Sequence, residues 1–386
     1  MPAVVTTLKG VIALLPLPAE APTRETLEWK TDVMIARSSA EQRLSVRNNP
    51  RQAFRMTVPA NQGRTQLALN ALYGALRQNW GIPLWTEAQH VGAVSSGLDV
   101  LPAVTDLYDF RDASLALLYQ SPSQFQVIEI DTVAPGQLNL LADTNLFTNA
   151  WLMPLRVGRI AEAVDRKTNG FANSIDLSFD VDDNLGWTPD APAQFLGEDI
   201  YYDAPIIGSD TLSDSIDQRA DIADYELGPV ASRTPWARPQ VGRPHRTVME
   251  NAAAVRAYRD WLHRRRGKFR AFWQPTFEVD LRTLSTGTVT NTLIINNDDY
   301  QTWSRRRHIA VETLTGTWLP RTITASSFLD ATRVQLTLDS AINVAASNIA
   351  RVSYLGLKRL NTDRVELNWR GGGVCESSVQ LLELTP

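Results

Sequence analysis

Residues 65–81 read TQLALNALYGALRQNWG, and residues 251–267 read NAAAVRAYRDWLHRRRG. Apolar side chains recur at i, i+3 and i+7 in both stretches, which predicts amphipathic helices over about 65–80 and about 250–266. Each stretch ends in a glycine, Gly81 and Gly267, at the place of a left-handed C-terminal cap. The stretches align at a constant offset of 186 residues, so we interpret them as one element that occurs twice.

Short runs of alternating apolar and polar residues surround both helices. They are rich in Val, Ile, Thr and aromatic residues, and they predict half-buried strands at 27–35, 125–133, 173–181, 288–297, 333–340, 363–369 and 377–384. The sequence therefore predicts a mainly β fold made of two tandem β-sandwich or β-barrel units, each with one amphipathic helix. We expect a first unit at 1–185, an acidic linker with the first strands of the second unit at 186–245, and the remainder of the second unit at 246–386.

Composition narrows the class of protein. The chain has 386 residues, of which 44% are hydrophobic and 21% charged, as in ordinary globular domains. A formal net charge of −4 argues against a protein that binds duplex DNA or RNA. The single cysteine, Cys375, excludes an internal disulfide framework. The apolar run VIALLPLP lacks the features of a signal peptide, and no run reaches the length of a membrane span, so we expect a soluble protein with no membrane partner.

No motif in the sequence predicts a catalytic or cofactor site. The four histidines, His90, His245, His263 and His308, do not have the spacing of a zinc site, and no nucleophile elbow, phosphate loop or dinucleotide fingerprint is present. Asp180, Asp182 and Asn184 begin like a calcium loop, but Leu185 and Ala191 stand where glycine and glutamate are needed. We therefore expect no metal, no cofactor and no enzymatic activity.

Residues 261–281, WLHRRRGKFRAFWQPTFEVDL, combine basic and aromatic side chains. This pattern is typical of a nucleic-acid groove. Cations in the last turn of a helix are also favourable against its dipole, and arginines form salt bridges between proteins, so three interpretations stay open: a solvated helix end, a protein interface and a nucleic-acid site. The interface candidates are Arg264, Arg265, Arg266, Arg270, Trp273, Arg51, Trp80 and Trp85.

One further stretch carries a resemblance. Residues 28–54, EWKTDVMIARSSAEQRLSVRNNPRQAF, resemble the opening of the distal tail or baseplate (tail-tip) proteins of long-tailed bacteriophages. In that family a strand with TDV is followed by a turn of small residues. EQR and an arginine-bearing strand with PR come next, and this chain has the same order. LYGALRQNWGIPLW and YRDWLHRRRGKFRAFWQPTFEVDL are similar to the helix and aromatic strand of the same units. No clear EQR and NPR precede the second helix.

The resemblance implies a structural virion protein with two tail-tube-like units. Such a protein forms a ring that connects the tail tube to the host-recognition apparatus and encloses the DNA channel, with the sheets of neighbouring subunits joined into a barrel. The implied partners are the chain itself, the tail tube protein, the tail hub or tip and the fibre proteins, with DNA only in passage. The implied location is the phage tail, assembled in the host cytoplasm.

The family also implies a copy number. A ring of six units is usual at the end of a tail tube, so a chain with two units predicts a homotrimer with approximate sixfold symmetry. A homohexamer is the alternative.

Two other functions stay open. A tail fibre or adhesin would bind cell-surface carbohydrate through Trp187, Trp236 and Trp318, which lie in loop-like surroundings. A polysaccharide hydrolase carried by the tail is the third possibility, and no motif supports it.

Overall fold

The structure is a computed structural model that describes residues 3–168, 173–182, 186–208, 213–224, 226, 228–236, 239–300, 306–371 and 373–384. Within these residues the fold is mainly β, as the sequence predicts, with two α-helices. Neither helix is long and apolar enough to span a lipid bilayer.

The first half of the chain contains one helix, α1 (Gln62–Ala75), and a 3₁₀ turn at Trp85–Glu87. Its strands are β1 (Ala3–Thr7), β2 (Gly10–Leu14), β3 (Glu20–Ile35), β4 (Glu41–Ala60), β5 (Trp80–Pro83), β6 (Gln89–Val94), β7 (Val100–Pro102), β8 (Ser114–Ser121), β9 (Gln124–Ala134), β10 (Gln137–Leu140), β11 (Phe147–Ile160), β12 (Asp165–Thr168) and β13 (Asn173–Val181). We call these elements the first unit.

The second half contains α2 (Ala252–Arg265) and 3₁₀ turns at Asn297–Asp299 and Ala346–Asn348. Its strands are β14 (Gln194–Phe195), β15 (Glu198–Ile200), β16 (Ser215–Asp217), β17 (Asp221–Ala223), β18 (Ala231–Arg233), β19 (Gln240–Met249), β20 (Phe272–Pro275), β21 (Thr288–Val289), β22 (Thr292–Asn296), β23 (His308–Thr313), β24 (Trp318–Phe328), β25 (Arg333–Leu338), β26 (Val344–Ala345), β27 (Ile349–Leu360), β28 (Arg364–Gly371) and β29 (Val374–Glu383). We call these elements the second unit.

Eight strands form a continuous antiparallel sheet, which we call the main sheet. Its order is β12–β13–β4–β3–β28–β29–β19–β16. The first four strands belong to the first unit and the last four to the second. In each set the second strand of a hairpin pairs with the strand that leads into the helix, and that strand pairs with an earlier strand of the same unit. The two units therefore follow each other head to tail within one sheet.

The strand after each helix repeats the same arrangement. β5 pairs in parallel with β2 and antiparallel with β11. β20 pairs in parallel with β15 and antiparallel with β27. The pairing thus repeats in a region where sequence similarity between the halves is weak.

The helix caps correct the predicted alignment of the two halves. Asn61 caps α1 by accepting a hydrogen bond from the backbone N–H of Arg64, and Asn251 caps α2 by accepting one from Ala254. These caps lie 190 residues apart, so the offset of 186 is wrong by about one helical turn.

The predicted end of α1 is also wrong, since the helix stops at Ala75 and Gly81 lies in β5 instead of forming a cap. The indole N–H of Trp80 donates to the carbonyl of Ala75 at 3.0 Å and so satisfies the end of the helix. α2 ends close to its predicted limit, with Arg266 in the left-handed conformation.

The cores also follow the repeat. α1 packs on a core built from β2, β4, β5 and β13, and α2 packs on a second core that includes β3, β28 and β29. The strands between β5 and β11, and those between β20 and β27, form two further clusters. The described strands form no closed barrel, so the barrel alternative is wrong for the single chain. The predicted boundaries at 185 and 245 stay a prediction.

Candidate functional site

Two arginines at the end of α2 contact the same carboxylate, Asp199 on β15. Arg264 donates twice to Asp199, through Nε and Nη2, both at 2.7 Å, and Arg265 also pairs with it. Burial favours a raised pKa for Asp199, but hydrogen bonds from Arg264 and Gln194 and the charges of both arginines lower that pKa to about 2. Two of the three consecutive arginines are therefore paired with a carboxylate of the same chain.

The other residues of this stretch do not form a nucleic-acid groove. Trp273 is only 3% exposed and lies in the interior with Phe272. Arg266 donates to the side chain of Asn48 at 2.9 Å, while Arg270 is exposed. Since binding of single strands needs exposed aromatic faces on which bases stack, the basic and aromatic pattern of 261–281 is explained by packing and by the end of α2.

A second buried charge cluster joins the two units. Arg259 on α2 donates to Glu87 at 2.5 Å and to Glu25 on β3 at 2.6 Å. Glu25 also accepts from the indole of Trp369, and Glu87 accepts from the backbone of Asp109. Although burial favours a lower pKa for Arg259, the charges of Glu25 and Glu87 raise it well above its ordinary value. The guanidinium is therefore a fixed cation that links the units.

A cleft of about 510 Å³ lies beside this cluster, between the two units. Its walls carry the aromatic side chains of Trp85, Tyr108, Trp151 and Trp369, and Trp151 is 42% exposed. Glu250 and the first residue of α2 line its other side. Aromatic faces beside a carboxylate form a surface on which sugar rings can stack and donate hydrogen bonds.

Two of the three tryptophans that the sequence analysis proposed for carbohydrate binding pack against other side chains. Trp187 stacks on His263 with ring centroids 4.9 Å apart and donates to Asp260 at 2.6 Å. Trp318 stacks on Tyr202 at 5.6 Å. All three are only partly exposed, and the indole nitrogen of Trp236 is buried. The proposed stacking role of these residues stays a prediction.

Three of the predicted interface residues lie in the interior of the single chain. Trp80, Trp273 and Arg265 are 1%, 3% and 1% exposed. Trp80 lies in β5 and Trp273 in β20. Each of these strands follows a helix and is buried between two neighbouring strands. Arg51 and Arg270 are exposed, and Arg264, Arg266 and Trp85 are partly exposed, so an interface role for these five stays a prediction.

Sequence reasoning missed the acidic partners of the arginines, Glu25, Glu87 and Asp199. No sequence signal marks them as buried, because Glu25 follows Arg24 and Asp199 follows Glu198, as in ordinary exposed segments. It also missed Tyr73, a large aromatic that is 87% exposed on α1.

No metal site is formed by the part of the chain that the structure describes: no group of three or more His, Cys, Asp or Glu could hold an ion there. Asp182 pairs with Arg159 at 2.8 Å. Asn184 and Leu185 of the calcium-loop pattern lie outside the described residues.

Comparison with known proteins gives no family. No family model matches the chain, and no curated protein matches it.

Proposed function

We propose that this chain is a structural protein of a phage tail tip or baseplate, which forms a ring between the tail tube and the host-recognition apparatus and encloses the DNA channel. The observation that supports this most directly is the order of the main sheet. Two units with the same strand order follow each other head to tail and are joined by the pairing of β3 with β28.

A head-to-tail contact leaves a free partner surface at each end. Among the described residues, β12 pairs only with β13 at one margin of the main sheet, and β16 pairs only with β19 at the other. β12 and β28 stand at equivalent places in the two units, and so do β16 and β3. The contact between β3 and β28 within the chain can therefore repeat between β16 of one copy and β12 of the next. Repetition of such a contact generates a ring when the rotation closes.

Ring formation also covers the sheet margins. Open strand edges are sites of uncontrolled association, and pairing them with the next copy removes them. Together with the resemblance of residues 28–54 to tail-tip proteins, this favours a homotrimer whose six units surround a channel, with a homohexamer as the alternative. Tail tube, hub and fibre proteins are the partners of the proposed ring, and DNA passes through it.

Native mass spectrometry of the purified chain tests the ring, and imaging of phage particles tests its place. We expect three chains and a threefold density at the end of the tail tube. Six chains in one ring would show that the protein is a homohexamer instead of a homotrimer. A chain that is monomeric at all concentrations and absent from purified particles would overturn the proposal.

A second candidate function, a module that binds cell-surface carbohydrate, is favoured by the cleft between the units instead of by the three predicted tryptophans. Trp151 and Trp85 supply its partly exposed aromatic faces, and Glu250 supplies an acceptor. Binding of the full chain to an array of bacterial surface glycans tests this candidate. The Trp151→Ala variant should lose any specific signal that the chain gives, and a signal that this variant keeps would exclude the cleft.

A further inference from the structure

The core of the second unit is completed by a strand of the first unit. Leu27 and Trp29 on β3 are each 1% exposed and belong to the same cluster as Tyr258 and Leu262 of α2. Trp29 also contacts the ring of His263, with centroids 5.6 Å apart. α2 is therefore covered from the side by its neighbouring unit.

The core of the first unit has no such cover. The buried residues of its cluster all come from the first unit, and none comes from β16. On α1, Tyr73 is 87% exposed, Leu76 is also exposed, and Leu69 is only half-buried. The apolar side of α1 that would face a neighbouring unit is thus open in the single chain.

The pairing registers identify the residues that could close it. Leu27 pairs with Gln52, which lies eight residues before the buried end of β4 at Ala60. Ile216 pairs with Val241, which lies eight residues before the buried end of β19 at Met249. Counted from the last, buried residue of each strand, Ile216 on β16 is the counterpart of Leu27; one extra residue, Glu250, separates the strand from the helix cap in the second unit.

The exposure of these counterparts differs greatly. Ile216 is 70% exposed, whereas Leu27 is 1% exposed. On the helices, Tyr73 follows the cap Asn61 by twelve residues, as His263 follows the cap Asn251. Leu27 and His263, which lie where the two units meet, thus correspond to two residues that are exposed in the single chain, Ile216 and Tyr73.

We propose that Ile216 of one copy packs against the open side of α1 of a second copy, beside Tyr73 and Leu76, and closes the core of the first unit as Leu27 closes that of the second. This inference rests on the proposed ring and names the contact that holds it together. The occupant is a second copy of this chain, because the complementary contact already exists inside the chain.

Substitutions at the two exposed residues test the contact. Ile216→Asp and Tyr73→Asp should each weaken ring formation at least tenfold, measured by native mass spectrometry over a range of chain concentrations. Phe328→Asp is the matched control, because Phe328 is 62% exposed but lies on β24, away from the main sheet, and this variant should assemble like the wild type. Since all three side chains are exposed in the single chain, the melting temperature of the dissociated variants should not change.

Cross-linking gives an independent measurement. Gln218 lies two residues after Ile216, as Trp29 lies two after Leu27, so Gln218 and Tyr73 are the counterparts of the contacting pair Trp29 and His263. A chain with Gln218→Cys and Tyr73→Cys should form covalent oligomers with a short thiol-reactive cross-linker. A chain with Phe328→Cys and Tyr73→Cys should not, and the native Cys375 is buried.

The outcomes separate this contact from the ring itself. A wild-type chain that never assembles overturns both the ring and the contact. A wild-type ring that survives Ile216→Asp and Tyr73→Asp, or that gives no Gln218–Tyr73 cross-link, overturns the contact and leaves the ring.

Discussion

Arg259 of the second unit and Glu87 of the first form a buried ion pair, with 2.5 Å between Nη1 and Oε1. Glu25 holds the other side of the same guanidinium at 2.6 Å. The two carboxylates come from β3 and from the 3₁₀ turn after β5, which lie far apart in sequence. The side chain of Arg259 therefore ties α2 to two separate segments of the first unit.

Replacement of that side chain should be costly. Arg259→Ala leaves two buried carboxylates without a cation, and we expect a loss of about 3–5 kcal/mol in the free energy of unfolding. Arg55→Ala is the control, because Arg55 pairs with Glu162 at the surface and its loss should cost at most about 1 kcal/mol. Denaturation by urea measures both. Similar losses in the two variants would show that Arg259 does not hold the junction.

A second prediction concerns the antiparallel pairing of β11 with β13. A Cβ atom at Gly158 would lie 2.3 Å from the backbone oxygen of Asp180, which cannot move without breaking the sheet. Gly158→Ala should therefore destabilise the chain by at least about 1–3 kcal/mol.

The matched control is another glycine, in α1. A Cβ atom at Gly63 meets nothing within 4 Å, and the residue is helical. Gly63→Ala should stabilise by about 0.5–1 kcal/mol because alanine loses less backbone entropy. Thermal unfolding compares the two variants, and a stable Gly158→Ala protein would contradict the pairing of β11 with β13.

The sequence predicted those structural features that depend on residues close together along the chain. The strand 173–181 has its predicted limits, because its alternation follows directly from one buried face. The cap at Gly81 was wrong because the indole of Trp80 satisfies the end of α1 instead. The pairing of β3 with β28 was beyond prediction, since these strands are separated by most of the chain. The burial of Arg265 likewise depends on Asp199, whose position only the fold determines.

A third prediction separates packing from recognition at Trp187. This ring lies against His263, and the guanidinium of Arg256 is 4.1 Å from its centroid. Trp187→Ala should lower the free energy of unfolding by about 1–3 kcal/mol, because it removes these contacts. Any glycan binding by the folded chain should be unchanged. A stable variant that loses glycan binding would show that Trp187 binds carbohydrate, as the sequence analysis proposed.

The last prediction concerns pH and two buried histidines. Burial lowers the pKa of His245 to about 3, and the nearby Lys358 and Arg243 act in the same direction. Burial also lowers the pKa of His263 to about 3; Asp109 opposes this shift, while Arg259, Arg111 and Arg256 reinforce it. Both side chains are therefore neutral in the folded chain at pH values where they are charged in the unfolded chain.

The sign of the effect follows from proton binding. Below the ordinary histidine pKa of 6.5 the unfolded chain binds more protons than the folded chain, so stability falls as pH falls. The stabilisation is fully present above pH 6.5 and is lost between that value and about 3, at up to about 1.4 kcal/mol per pH unit for each histidine. The buried carboxylate Asp199, with a pKa of about 2 against 3.8, loses its contribution only at lower pH.

Urea denaturation between about pH 7 and pH 5 reports mainly on the histidines, because carboxylates with ordinary or lowered pKa values are ionised throughout this range. We expect the wild-type free energy of unfolding to fall over this range. His263→Phe keeps an aromatic ring against Trp29 and Trp187 but cannot be protonated, so it should remove about half of the slope, since one of two buried histidines is gone. A slope that is equal in wild type and His263→Phe would mean that His263 is accessible to water, contrary to its packing between Trp187 and Trp29.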